Sequence, residues 1–279
     1  MTLTERLRQL LSAAPVTPSD AQWTHLEGDH LQLRHGDEFI PVRLRREPRA
    51  RAARCKFRGH GFTVSLPPRQ YKAPASVLHE FTPWIREQWG RLIAHAVPLP
   101  QVQITSAVPL WGESVPLEWQ HGRSLVLQLR EGRIIAQAPP AAVATHRFGA
   151  ALRQFYEAQA RTRAHVALQT WGEGMPRLPS RLVFKNVDSL WGSMSSTGSM
   201  TLERSLALAP DYVFDYLVVH ELCHLLHMAH DRAFWHEVGL RLPDYRRAEQ
   251  WLSNNGPLLR LNAARLMTPQ LYLAATDRS

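Results

Sequence analysis

Residues 211–228 read DYVFDYLVVHELCHLLHM and leave the chain little choice of local structure. The stretch holds no Pro or Gly, and apolar residues surround an H-E-x-x-H triplet of His220, Glu221 and His224. An apolar run of this length without breakers reads as a helix. Helical positions four apart differ by about 40° in azimuth and about 6 Å in height, so His220 and His224 share one face. Both imidazoles can then reach one Zn²⁺ at about 2.0–2.1 Å. Glu221 lies on the flank, where a carboxylate can take a proton from an activated water and hand it to a leaving group.

A catalytic zinc takes three protein ligands and keeps the fourth position for water. Four residues compete for the third place. His227 is close to His220 in azimuth but about 10 Å away along a straight helix, so the three rings would not converge. His230, six residues after His224, can aim back only where the chain turns between Leu225 and His230. Asp231 favours such a turn, because it can N-cap a new helix over RAFWHEV. Glu237 and Glu249 are the glutamate alternatives, and His230 is the favoured ligand. Cys223 reads as a small packing residue rather than a nucleophile, Phe234 and Trp235 as core anchors, and His236 as exposed.

The rest of the chain is ordinary for a globular protein of 279 residues with 44% hydrophobic residues. No run approaches the length of a membrane span. The leucines of MTLTERLRQLLSAAP sit at helical spacing behind a Thr2–Glu5 capping box, which suits a short amphipathic helix rather than a secretory signal. Cys55 and Cys223 are too few for a disulfide framework, and a reducing cytoplasm is the expected home. The net charge of +9 is uneven. Eight basic residues and one acid, Glu47, lie between Arg43 and Arg58. The stretch is either a nucleic-acid surface or the solvated strand face of a basic protein, and no aromatics are interleaved to stack bases.

Alternation predicts hairpins over residues 30–66, with turns at His35-Gly36-Asp37 and Gly59-His60-Gly61. A helix over 74–96 starts at Pro74 or Pro83. Strands return over 101–138, with a hairpin turning at Glu131-Gly132. A helix over 141–171 buries Phe148, Leu152, Phe155 and Tyr156 and leaves Arg153, Arg161 and Arg163 in solvent. After a break at 173–180 comes a hairpin from 181 that turns at Thr197-Gly198. The expected organisation is an N-terminal helix and linker (1–29), a β-rich region with two helices (30–172), a catalytic core (173–256) and a C-terminal tail (257–279).

Several of these pieces together resemble the YgjP-like family of zinc-dependent metallopeptidases, relatives of the SprT-like zincins. The matching pieces are Trp191-Gly192-Ser193, Leu208-Ala209-Pro210, His220 to His224, His230 with Phe234-Trp235, and LPDYRRAEQWL at 242–252. A more diffuse similarity reaches upstream to about residue 39. The resemblance implies an α+β fold with a zincin-like metallopeptidase core of small sheet and active-site helix, behind a β-rich N-terminal half. It also implies one zinc per chain on His220, His224 and His230, with Glu221 as general base. The chain departs from the family pattern at Leu190, Met194 and Glu203-Arg204-Ser205, which flank the expected cleft.

The expected activity is hydrolysis of a peptide or protein by a zinc-bound water that Glu221 activates. The strand over 199–206 is the candidate to hold an extended substrate by strand addition. Trp191, His227 and Arg204 are candidate substrate-binding residues, and His227, Arg204 and Tyr245 are conceivable oxyanion stabilisers. The alternatives are a hydrolase for a phosphorylated small molecule, or a zincin scaffold on nucleic acid through the basic stretch 43–58. No membrane partner is expected.

Overall fold

A computed structural model describes residues 23–274 except 27, 70–71, 141–142 and 188–189, so the expected N-terminal helix lies outside the described residues. The fold is mixed α+β with several small sheets. The chain forms two compact units, one of the described residues up to Leu99 together with those from Thr268, the other Pro100–Met267. The loop 173–180, the expected boundary, lies inside the second unit.

In the first unit, strands β1 (Trp23–His25), β2 (His30–His35), β3 (Glu38–Arg46), β4 (Arg54–Arg58) and β5 (Gly61–Leu66) make one sheet in the order β1-β2-β3-β5-β4. The period of two puts Leu31, Leu33, Ile40, Val42, Leu44, Phe62, Val64 and Leu66 into the core. Helix α1 (Pro74–Ile93) packs Trp84 edge-on against Phe62 and buries Leu78, Ile85 and Trp89. Pro74 starts this helix, while Pro83 sits inside it. Residues from Thr268 return to the sheet. Gln32 donates to the carbonyls of Leu271 and Leu273, Phe39 N–H donates to Tyr272, and Tyr272 stacks on Trp89.

The second unit opens with β6 (Ala107–Leu110), β7 (Glu113–His121), β8 (Val126–Arg130) and β9 (Arg133–Ala138), ordered β6-β7-β9-β8. Glu131 and Gly132 form the expected tight turn, both with positive φ. Helix α2 (Thr145–Trp171) buries Phe148, Leu152, Phe155 and Tyr156 as expected. Arg163, expected in solvent, instead makes a two-pronged bond to Asp215 at 2.9 and 2.7 Å. A third sheet, β10 (Arg181–Lys185), β11 (Gly192–Met194) and β12 (Ser199–Glu203), leads through a 3-10 turn (Arg204–Leu208) into α3 (Asp211–Cys223). Helices α4 (Arg232–Arg241) and α5 (Tyr245–Met267) follow.

The expected hairpin from 181 needs correction. Only β11 and β12 form it, around Thr197-Gly198, and β10 pairs parallel to β12. The strand expected as the free edge, β12, is therefore the central strand, and β11 is an edge. The tail expected from 257 is also absent there, because α5 continues through Pro257 to Met267. All three sheets repeat one arrangement. A strand is followed by a hairpin whose second strand inserts beside the first in parallel: β3-β5-β4, β7-β9-β8 and β10-β12-β11.

Candidate metal centre

Helix α3 ends as it delivers its second histidine. His224 occupies the C-cap position, and Leu225, Leu226 and His227 donate to Leu222, Cys223 and Cys223 carbonyls as the helix tightens and stops. The chain then turns, and Asp231 caps α4 by accepting from Phe234 N–H at 3.0 Å. His230 stands at this corner and points back at the helix. One ring nitrogen from each of His220, His224 and His230 lies within 4.8 Å of the others, and the Nε2 atoms of His220 and His230 are 2.9 Å apart. His227 and Glu237 do not join the group. Glu237 pairs with Arg241 at 2.6 Å instead.

Phe234 floors the cluster. It is fully buried, and its ring centroid lies 4.7–4.9 Å from those of all three imidazoles. Two further bonds fix ring orientation. His224 Nδ1 donates to the His227 carbonyl at 3.1 Å, which leaves Nε2 with its lone pair. His220 Nδ1 lies 3.4 Å from the Tyr216 hydroxyl, which donates to Glu249 Oε1 at 3.2 Å. Tyr216 therefore links His220 to Glu249, and Glu249, an expected alternative ligand, reaches His220 only through the Tyr216 hydroxyl. Tyr216 went unnoticed in the sequence, although it lies four residues before His220 on the same helical face.

Glu221 is 2% exposed, and its Oε2 has no hydrogen-bond partner among the described residues. Burial pushes its carboxyl up to about 8. His220 moves the opposite way, down to about 3, through burial and the neighbouring His224 and His230. Burial also lowers His224. These shifts favour the neutral form of His220 and His224, which can donate a lone pair.

The donor set fits a tetrahedral divalent ion. Ligand nitrogens about 2.0–2.1 Å from such an ion stand about 3.3 Å apart, so small ring movements suffice. The two ring nitrogens that face each other at 2.9 Å also require a proton or a cation between them. The orphaned Glu221 oxygen calls for a donor in the same place.

The cluster opens into a cavity of about 570 Å³. Leu190, Trp191, Met194 and Leu252 supply its apolar wall, β11 one side, and Glu221 and Glu249 its acids. Among the described residues, no Lys or Arg lines it. Of the expected substrate-binding residues, Trp191 lines the cavity. His227 and Arg204 do not, since Arg204 turns away to Glu157 at 2.7 Å. Tyr245 stacks between Trp235 and Tyr216 rather than facing the cavity. Leu190 and Met194, two of the departures from the family pattern, line the wall, whereas Glu203-Arg204-Ser205 do not. Cys223 is fully buried with its thiol pushed up to about 11, a packing residue as expected.

Residues 51–255 match the family model of a metallopeptidase domain. The family is the YgjP-like one, and the chain belongs to it. Comparison with curated proteins gives no match. Among solved structures, the crystal structure of the metallopeptidase zymogen of Pyrococcus abyssi abylysin is similar over 34% of this chain and 93% of that one. The identity is 19% and the TM-score 0.29.

Proposed function

We propose that the protein is a zinc-dependent peptidase with a zincin-type core, in which His220, His224 and His230 hold one ion and Glu221 is the general base. The observation that carries this reading is the convergence of three imidazoles in a cavity also lined by the buried Glu221, whose Oε2 has no partner among the described residues. A divalent ion held there supplies a Lewis acid that lowers the pKa of water and polarises a carbonyl. Glu221 Oε2 accepts the proton released as water attacks the peptide carbonyl, then returns it to the leaving amine. Tyr216 and Glu249 hold the His220 ring, and Phe234 keeps water away from the ligand side.

The edge strand β11 is the surface that would take an extended peptide, because it lines the cavity and β12 is paired on both sides. A phosphorylated substrate suits the cavity poorly, since among the described residues two carboxylates and no Lys or Arg line it. A structural ion is also disfavoured, because such a site fills all four positions with protein ligands and has no use for Glu221. Both cysteines are free, which suits a reducing compartment such as the cytoplasm.

Metal content per chain tests the ligand set. About one zinc in the wild type, lost in His220→Ala and His230→Ala and kept in His227→Ala and Glu237→Ala, is the expected result. Retention by His230→Ala would remove His230 from the set. Cleavage of a mixed peptide library by the zinc-loaded wild type, abolished by a chelator, tests the peptidase reading. No cleavage by fully loaded protein would overturn it.

A further inference from the structure

The first unit carries a charged feature that hydrolysis at the histidine cluster does not use. On the sheet face opposite the core, β5 presents Thr63 and Ser65, while its neighbours present Arg43 and Arg45 from β3 and Arg54, Lys56 and Arg58 from β4. The register puts them side by side. Arg43 and Lys56 flank Thr63, and Arg45 and Arg54 flank Ser65. Thr63 and Ser65 form the floor of a trough of about 230 Å³, with Arg45 on the β3 side, Arg54, Lys56 and Arg58 on the β4 side, and Arg49 from the loop between those strands also lining it.

The walls stand two strand spacings apart, about 9.6 Å. Along β4 the cations recur every second residue, about 6.7 Å, close to the separation of successive phosphates in an extended nucleic-acid backbone. Acids do not neutralise the trough. Arg43 is held by Asp29 at 2.6 Å, and Arg45 lies 3.9 Å from Glu47, the one acid lining the feature. Arg49, Arg54, Lys56 and Arg58 make no ion pair among the described residues. Among the described residues no aromatic lines the trough, and Phe57 packs on Phe62.

We infer that this trough binds one phosphodiester strand of nucleic acid along β5. Arginine forks on the walls and hydroxyls on the floor contact phosphates and sugars, with no base stacking and hence no sequence preference. A narrow polar furrow without an apolar rim favours a polyanionic chain over a membrane surface, which requires apolar side chains to insert.

Fluorescence anisotropy of the full chain with labelled mixed-sequence oligonucleotides, single-stranded and duplex, tests the proposal across a salt series. The wild type is expected to bind the single strand at low salt, with affinity falling linearly in log–log salt. The triple variant Arg54→Gln/Lys56→Gln/Arg58→Gln is expected to lose about tenfold or more in affinity and to flatten the salt slope by about 2. The charge-matched control Arg123→Gln/Arg130→Gln/Arg147→Gln, at exposed positions of the second unit, is expected to retain most of the affinity. If the triple variant does not fold, judged by circular dichroism, the exposed single substitution Lys56→Glu carries the same expectation.

Absence of binding at low salt, or an equal loss in the control, would overturn the trough as a specific site. Capture on phosphatidylserine-containing vesicles that is lost in the triple variant, without oligonucleotide binding, would assign the face to a membrane and also overturn it.

Discussion

Gly192 on β11 lies against Glu221 on α3 so closely that a Cβ at position 192 would stand 2.4 Å from the carboxylate Oε1. The edge strand thus approaches α3 closely at a residue that has no side chain. Gly192 is needed here for space, since its φ is not positive.

Gly192→Ala is therefore expected to displace the Glu221 carboxylate while leaving the three imidazoles in place. Displacement of a reacting group by about 1 Å can cost about 100-fold in rate. Peptide turnover should fall by that order with zinc content unchanged. Full activity in the alanine variant would show that Glu221 can do its work from another position.

Glu221→Gln removes the base and keeps the shape. Turnover is expected to drop by about 10²–10⁴, the usual contribution of a positioned general base. Elemental analysis should still find one ion per chain. Retained activity in the loaded variant would sink the proposed role.

How much of this could be read from the chain follows from what each pattern encodes. H-E-x-x-H in an apolar run fixes His220, Glu221 and His224, because helix geometry leaves no freedom between adjacent turns. His230 was legible through Asp231, whose capping role requires a corner just before it. Strand alternation located the hairpins at Gly36 and at Glu131-Gly132, but alternation names a buried face and not a neighbour. The parallel insertion of β12 beside β10 therefore left no trace. Gly192 stands out in sequence only within the Trp191-Gly192-Ser193 resemblance, and its close approach to Glu221 leaves no trace there, since it depends on a side chain 29 positions later. Arg163 and Arg204 look like solvent-facing or cleft cations in sequence, and their partners Asp215 and Glu157 are known only once α2 and α3 are packed.

The opposed shifts of His220 and Glu221 give the metal-free protein a defined pH profile. His220 falls from 6.5 to about 3, so its contribution to stability is present above 6.5 and is lost as pH drops toward 3. Glu221 rises from 4.5 to about 8, so its contribution is present below 4.5 and is lost as pH climbs toward 8. Between 4.5 and 6.5 the folded and unfolded chains bind the same number of protons at these two groups, which gives a plateau. Stability should decline on both sides, by an order of a few kcal/mol on the alkaline side. Denaturant midpoints of the metal-free protein from pH 3 to 9 check this. In Glu221→Gln the alkaline decline should vanish and the plateau should begin near 6.5. An unchanged alkaline limb would assign it to other groups.

Asp231 links the corner to the cluster, since it caps α4 one residue after His230. Asp231→Ala should cost about 1 kcal/mol in stability and also weaken zinc binding, because the cap fixes the corner just after His230 and the first turn that carries Phe234. Asp231→Asn retains the capping oxygen and should behave like the wild type in both assays. If alanine lowers the melting temperature without changing zinc affinity, the cap stabilises the helix alone.

Behind His220, the Tyr216 hydroxyl stands between the ring and Glu249. Outer partners of this kind orient the ligand and typically contribute about 10- to 100-fold in metal affinity. Tyr216→Phe removes the hydroxyl while preserving the ring that stacks near Tyr245. Competition with a chelator of known zinc affinity is expected to show weaker binding in this variant, with little change in melting temperature for the metal-free protein. Glu249→Gln keeps an acceptor for the Tyr216 hydroxyl and should show a smaller loss. A larger loss in Glu249→Gln than in Tyr216→Phe would mean that Glu249 binds the ion directly and belongs to the ligand set.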